Sequence, residues 1–201
     1  MLDGVLKKRI DPPMNRLAAV LCRRGVGANS VTVAGLVLGL AAAVAIAFGS
    51  LFLGLALLLL SRLADGLDGA VARHTGPTDL GGYLDIVFDY VFYGAIPLAF
   101  AILDPVANGL AAAVLLMSFY ANGASFLAFA IMAEKRKLAT EQRGRKSLFF
   151  TTGLAEATET ITTFVLFCLF PQYFAVIAYV FAAMTTWTFV SRIRLSLKSF
   201  G

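Results

Sequence analysis

Charge is scarce in this chain of 201 residues: Lys, Arg, Asp and Glu together make up 14%, against about 25% in a soluble domain. That excludes a disordered chain, which is rich in charge and poor in apolar residues, and it argues against an ordinary soluble enzyme. There are only two cysteines, Cys22 and Cys168, and one histidine, His74, which excludes a disulfide scaffold. The two cysteines read as small buried residues at opposite membrane faces. A signal-peptide pattern is lacking too. The first 24 residues hold six basic residues and two prolines rather than a short apolar stretch with a cleavage site.

What is present is apolar. Hydrophobic residues make up 59% of the chain, and six membrane helices of about 20 residues would use about 120 of them. The expected fold is an all-α integral membrane protein with six transmembrane helices, preceded by an amphipathic juxtamembrane helical segment. Residues 1–27 form that segment and 28–201 the six-helix catalytic domain. Within 1–27, Leu2, Val5, Leu6, Ile10, Met14, Leu17, Ala18 and Leu21 recur near helical spacing between basic residues, as in helices lying on an anionic membrane surface. Asp11-Pro12-Pro13 is expected to break it in two, and Asn29 or Ser30 to cap the first span. The spans fall at about 31–48, 51–73, 82–103, 107–131, 154–170 and 172–190.

The net charge of +5 is an orientation signal here, not a nucleic-acid one. All 17 Lys and Arg fall in four stretches, 7–24, 62–73, 135–146 and 192–198, and the turns at Gly49-Ser50, Asp104-Pro105 and Pro171-Gln172 hold none. The positive-inside rule then places both termini, the 74–81 loop and the 132–153 loop in the cytoplasm of a cell whose inner membrane holds the protein.

One region breaks the rules for a membrane span. Asp65, Asp68, Arg73, Asp85 and Asp89 lie within 25 residues, although each ionisable group in a span costs about 2.5–3.5 kcal/mol on insertion scales. Positions 65, 68, 69 and 72 share one helical stripe, and 82, 85 and 89 share another. The short 74–81 connection sets the two helices side by side. Four aspartates and Arg73 leave a net charge of −3, so the site needs bound cations or protonated carboxyls. Oxygen-only ligands suit hard cations such as Mg²⁺, Mn²⁺ or Ca²⁺. Two such ions would then attract a diphosphate. Gly69 and Ala72 leave room for a substrate near the backbone, and Arg73 can grip phosphate oxygens.

The run Asp65-x-x-Asp68-Gly69-x-x-Ala72-Arg73, followed after eight residues by Gly82 and then by Asp85 and Asp89, resembles the signature of the CDP-alcohol phosphotransferase family (CDP-alcohol phosphatidyltransferases). Asn29-Ser-Val-Thr32 is similar to the Asn-x-x-Thr that precedes the first helix in many members. The resemblance implies that Asp65, Asp68 and Asp85, with Asp89, hold two divalent ions, Mg²⁺ or Mn²⁺. It implies that Gly69, Ala72 and Arg73, helped by Asn29 and Thr32, contact the CDP part of a CDP-linked lipid donor. Asp89 would be the catalytic base, taking a proton from the hydroxyl acceptor as CMP leaves. The expected activity is transfer of a substituted phosphate, phosphatidyl from CDP-diacylglycerol above others, in phospholipid biosynthesis. Family members are commonly homodimers, so a homodimer is expected.

Acceptor-binding candidates are Glu156, Glu159, Lys135, Arg143 and Arg192. The glutamates suit a cationic or polyhydroxy acceptor and the basic residues a phosphorylated one. Tyr90 stands where family members acting on phosphorylated acceptors carry a basic residue directly after the last aspartate, which favours a serine-like or other small polar alcohol. The alternative reading is a divalent-cation transporter or channel, which also places acidic groups inside a membrane. Against it, Arg73 would repel the ion and the acidic residues do not continue into other spans. The orientation has a direct check: alkaline phosphatase fused after Gly201 should be inactive in a bacterial host and a green fluorescent protein there should fluoresce, whereas an active phosphatase would invert the topology.

Overall fold

A computed structural model describes residues 2–136 and 157–200, with side chains from Pro12 onward. All regular structure among these residues is helical: α1 (Leu2–Arg23), α2 (Ala28–Ala47), α3 (Leu51–Thr75), α4 (Asp79–Leu103), α5 (Pro105–Lys135), α6 (Ala157–Leu169) and α7 (Phe174–Phe200), with a 3-10 turn at Pro171–Tyr173. The chain divides into two compact units, residues 1–105 and 106–201.

In the first unit α2 lies against both α3 and α4, and α1 lies against α3. Small side chains allow this. Gly35, Gly39, Ala42 and Ala43 are buried on α2, so neighbouring backbones come close, as is common between membrane helices. A Cβ at Gly39 would stand 2.6 Å from the Phe92 ring and 3.0 Å from Ser61 Oγ. Ser61 Oγ donates to the Gly35 carbonyl at 2.7 Å, tying α3 to α2. Below them Ala18 of α1 packs with Val31, Ala70 and Val71. Gly49 (φ +82°) turns the chain between α2 and α3, and Gly76 (φ +95°) ends α3, a backbone region that other L-residues rarely adopt.

The second unit has an aromatic interior. Phe164, Phe167 and Phe174 are fully buried. The Phe167 and Phe174 ring centroids are 4.5 Å apart, and Phe119 meets the Phe181 ring edge-to-face at 5.9 Å. Thr163, Thr185 and Thr188 donate to carbonyls one turn earlier, which satisfies their hydroxyls within their own helices.

The outward side chains are apolar: Val37, Val44, Phe52, Leu98, Val106 and Val176 are all exposed. Such a surface is unfavourable in water and ordinary in lipid. Four helical stretches, α2, α4, α5 and Pro171–Phe200, are long and apolar enough to cross a bilayer. The chain is an integral membrane protein. α3 carries Arg62, Asp65 and Asp68 along its length, and the described part of α6 is 13 residues.

Three details depart from the sequence expectations. α1 runs unbroken through Pro12 and Pro13. Both prolines are exposed, so water can take up the carbonyls they leave without a donor. Gly27, not Asn29 or Ser30, is the N-cap of α2, which leaves the Asn29 side chain free of capping. Helices also outrun the apolar stretches: α5 continues to Lys135 and α7 to Phe200, because backbone hydrogen bonding does not stop where the hydrocarbon does. Replacing Gly39 by Leu should lower the unfolding temperature in detergent, since overpacking of this kind costs about 1–3 kcal/mol; an unchanged temperature would contradict the close α2–α4 contact.

Candidate active site

The acidic stripe of α3 and that of α4 meet within the first unit. The Thr78 hydroxyl accepts from the Gly81 amide at 3.0 Å and starts α4 three residues before Gly82. This cap fixes the register in which Asp85 and Asp89, four apart, follow on one face. Asp65, Asp68 and Asp85 each offer a carboxylate oxygen, and these oxygens all lie within 4.8 Å of one another. Asp68 is only 6% exposed, and its Oδ2 is buried without a hydrogen-bond partner.

Asp89 is engaged differently. Its Oδ1 accepts from Nη1 of Arg62 at 2.8 Å, and the same nitrogen is 3.5 Å from Asp65 Oδ1. Arg62 had no role in the sequence reading beyond orientation. Its signal was there, because it lies one turn before Asp65 on the same face and inside an apolar run.

Beside the carboxylates opens a cavity of about 470 Å³, lined by Asn29, Thr32, Asp68, Gly69, Ala72 and Asp85 together with the 75–82 turn. These six were all singled out from sequence. Gly81 supplies a close approach: a Cβ there would be 3.1 Å from Asn29 Oδ1, whereas Gly82 has open space. Both glycines line the cavity. Arg73 is exposed and is not among the lining residues. Its Nη1 is 3.7 Å from where a Gly69 Cβ would lie, and its Nη2 donates to Asn15 Oδ1 of α1 at 3.4 Å.

Arg143 and Glu156 lie outside the described residues. Lys135 is exposed near the end of α5 and Glu159 is half-buried in α6, both in the second unit. Arg192 of α7 donates through Nη1 to the Asn122 carbonyl at 2.9 Å, to Asn122 Oδ1 at 2.8 Å and to Ser125 Oγ at 2.9 Å, so that it ties α7 to α5.

The donor set fits a hard divalent cation. Three carboxylates this close repel one another, and a buried carboxylate oxygen without a partner is costly. A cation among them removes both penalties, and all-oxygen coordination suits Mg²⁺ or Mn²⁺.

The sequence profile of CDP-alcohol phosphatidyltransferases matches residues 26–191. The chain belongs to that family. It is 43% identical over 202 residues to the inner membrane protein YnjF of Escherichia coli, covering 99% of this chain and 98% of that one. Over 93 residues it is 40% identical to the archaetidylinositol phosphate synthase of Methanothermobacter thermautotrophicus, spanning 46% of this chain and 44% of the relative. Among solved structures it resembles phosphatidylinositol phosphate synthase of Mycobacterium tuberculosis with CDP-DAG bound, at a TM-score of 0.66 and 24% identity over 90% of this chain and 92% of that one. The manganese and citrate complex of the same synthase matches with the same score and identity, covering 87% of that chain. These structural matches establish a shared fold.

Mn²⁺ should raise the unfolding temperature of the purified protein, with a stabilisation of about 2.7 kcal/mol when the ion is at 100 times its dissociation constant. Asp68→Asn should lose most of that shift, and an equal shift in the variant would remove Asp68 from the cation site.

Proposed function

We propose that this protein transfers the phosphatidyl group of CDP-diacylglycerol to a small hydroxyl acceptor and releases CMP. The observation that carries the reading is the meeting of Asp65, Asp68 and Asp85 beside a cavity lined by Asn29, Gly69 and Ala72 in a member of this family. The full structure is taken as six spans, with α3 and α6 completing the four that qualify by length and hydropathy. Both termini and the site face the cytoplasm, as the distribution of basic residues supports. The 43% identical relative is named an inner membrane protein, and the same membrane is proposed here. Assembly as a homodimer follows from the family resemblance.

Asp65, Asp68 and Asp85, with Asp89 contributing, would hold two Mg²⁺ or Mn²⁺ ions, which when bound supply positive charge against the donor diphosphate. Gly69 and Ala72 have no side chain, or only a methyl, to obstruct the nucleotide. Asn29 and Thr32 bring polar groups to the cavity lining, and Arg73, exposed next to Ala72, suits a phosphate oxygen. Asp89 accepts the proton of the acceptor hydroxyl as its oxygen forms a bond to the lipid-bearing phosphorus. The bond from that phosphorus to the CMP oxygen breaks, and Asp89 returns the proton to water. No covalent enzyme intermediate is required.

For the acceptor, Tyr90 after Asp89 favours a serine-like or other small polar alcohol. A phosphorylated polyol is the second reading. It is favoured by 40% identity over 93 residues to an archaetidylinositol phosphate synthase. The transporter reading finds no support among the relatives. The test incubates purified protein with CDP-diacylglycerol and serine, inositol, inositol phosphate, glycerol 3-phosphate, choline or phosphatidylglycerol, with lipid products read by mass. One acceptor should give a new phospholipid and stoichiometric CMP, EDTA should stop the reaction, and Asp89→Asn should slow it about 100-fold or more. Full activity in excess EDTA, or near-normal CMP release by Asp89→Asn, would contradict the mechanism.

A further inference from the structure

We propose that Asn15 of the amphipathic helix α1 is a positioning residue that holds the Arg73 guanidinium beside Gly69, with its charge intact, for the diphosphate of the donor. The ligand rests on the function proposed above; the placing of Arg73 rests on geometry alone. Asp65 and Asp68 share α3 with Arg73, and Asp85 and Asp89 follow on α4, yet among the described residues Arg73 is paired with none of them. Its hydrogen bond runs instead from Nη2 to the amide oxygen of Asn15, at 3.4 Å. A neutral acceptor orients a guanidinium without cancelling its charge, as a carboxylate would. At the other tip of the fork, Nη1 lies 3.7 Å from where a Gly69 Cβ would stand, and Gly69 lines the cavity beside Asp68.

The seat of α1 on α3 brings Asn15 to this place. Met14 comes so close that a Cβ at Gly66 would be 3.1 Å from its Cε. One turn on, Ala18 is fully buried with Ala70 and Val71 of α3, and Leu21 and Cys22 pack on the same cluster. Gly66, Ala70 and Arg73 succeed one another at helical spacing on α3, as do Met14, Ala18 and Leu21 on α1. Asn15 and Arg73 are themselves exposed, so the apolar contacts seat the helix and the amide only aims the guanidinium. A helix read from the sequence as a membrane-surface segment thus also serves the binding of the donor.

The experiment measures CDP binding in Mn²⁺ by calorimetry, steady-state CMP release from CDP-diacylglycerol, and thermal unfolding. It compares wild type, Asn15→Ala, Asn15→Asp, Arg73→Ala and the double variant Asn15→Ala with Arg73→Ala. Asn15→Ala should weaken CDP binding and raise KM for the donor about 2–10-fold, the range for one net hydrogen bond. Its kcat and unfolding temperature should stay near the wild-type values, as for a loss of uniform binding. Asn15→Asp keeps an acceptor but neutralises the guanidinium, and should weaken CDP binding at least as much. Adding Asn15→Ala to Arg73→Ala should cost no further affinity, because the amide acts only through the guanidinium. Wild-type CDP affinity in Asn15→Ala or in Asn15→Asp would overturn the proposal, as would additive losses in the double variant or a fall in kcat at unchanged KM. Should the wild type bind CDP but release no CMP with any acceptor, the proposed function fails, while the binding comparison still decides the role of Asn15. A wild type that binds no CDP overturns both.

Discussion

Carboxylates crowded between apolar helices repel one another, and the centre of the first unit is built around that repulsion. Nothing in the packing alone requires Asp65, Asp68 and Asp85 to face each other; outward rotation of either helix would separate them. The helices are instead locked. Gly35 and Gly39 thin α2 so that α3 and α4 can both press against it, and the Thr78 cap fixes where α4 begins. Stability that apolar packing supplies is thus used to hold an arrangement that a bound cation would relieve.

The site meets the charge problem in two ways. Around Asp68, the most deeply buried of the three converging aspartates, an oxygen is left without a partner and a hard cation fits. Around Asp89, a guanidinium already supplies the counter-charge. The same residue type therefore meets two different surroundings, on α3 and on α4. The adjoining cavity has a polar wall from Asn29 and Thr32 and an open wall from Gly69 and Ala72, a combination suited to a large polar ligand entering beside the cation.

Much of this was legible in the sequence. The i, i+3 and i+4 spacing of Asp65, Asp68, Gly69 and Ala72 and of Asp85 and Asp89 identifies faces of helices, whereas α3 and α4, expected side by side, each pack on α2 instead. Asn29 and Thr32 also line the cavity. What escaped the sequence depends on contacts between helices. Arg62 looks like one more orientation charge until Phe92, Ser61 and Asp89 are seen around it. The close approach of Gly81 to Asn29 and Thr78 is likewise not visible in the spacing of the motif. The hydrogen bonds of Arg192 to Asn122 and Ser125 of α5 are likewise contacts between helices. Helix ends were misplaced because hydropathy marks the bilayer and not the last hydrogen bond.

Anomalous diffraction from crystals grown with Mn²⁺ tests the central claim most directly. The account predicts a manganese peak among the carboxylates of Asp65, Asp68 and Asp85, at ordinary metal–oxygen distances. Crystals saturated with Mn²⁺ that show no peak there, or a peak only at other residues, would contradict it.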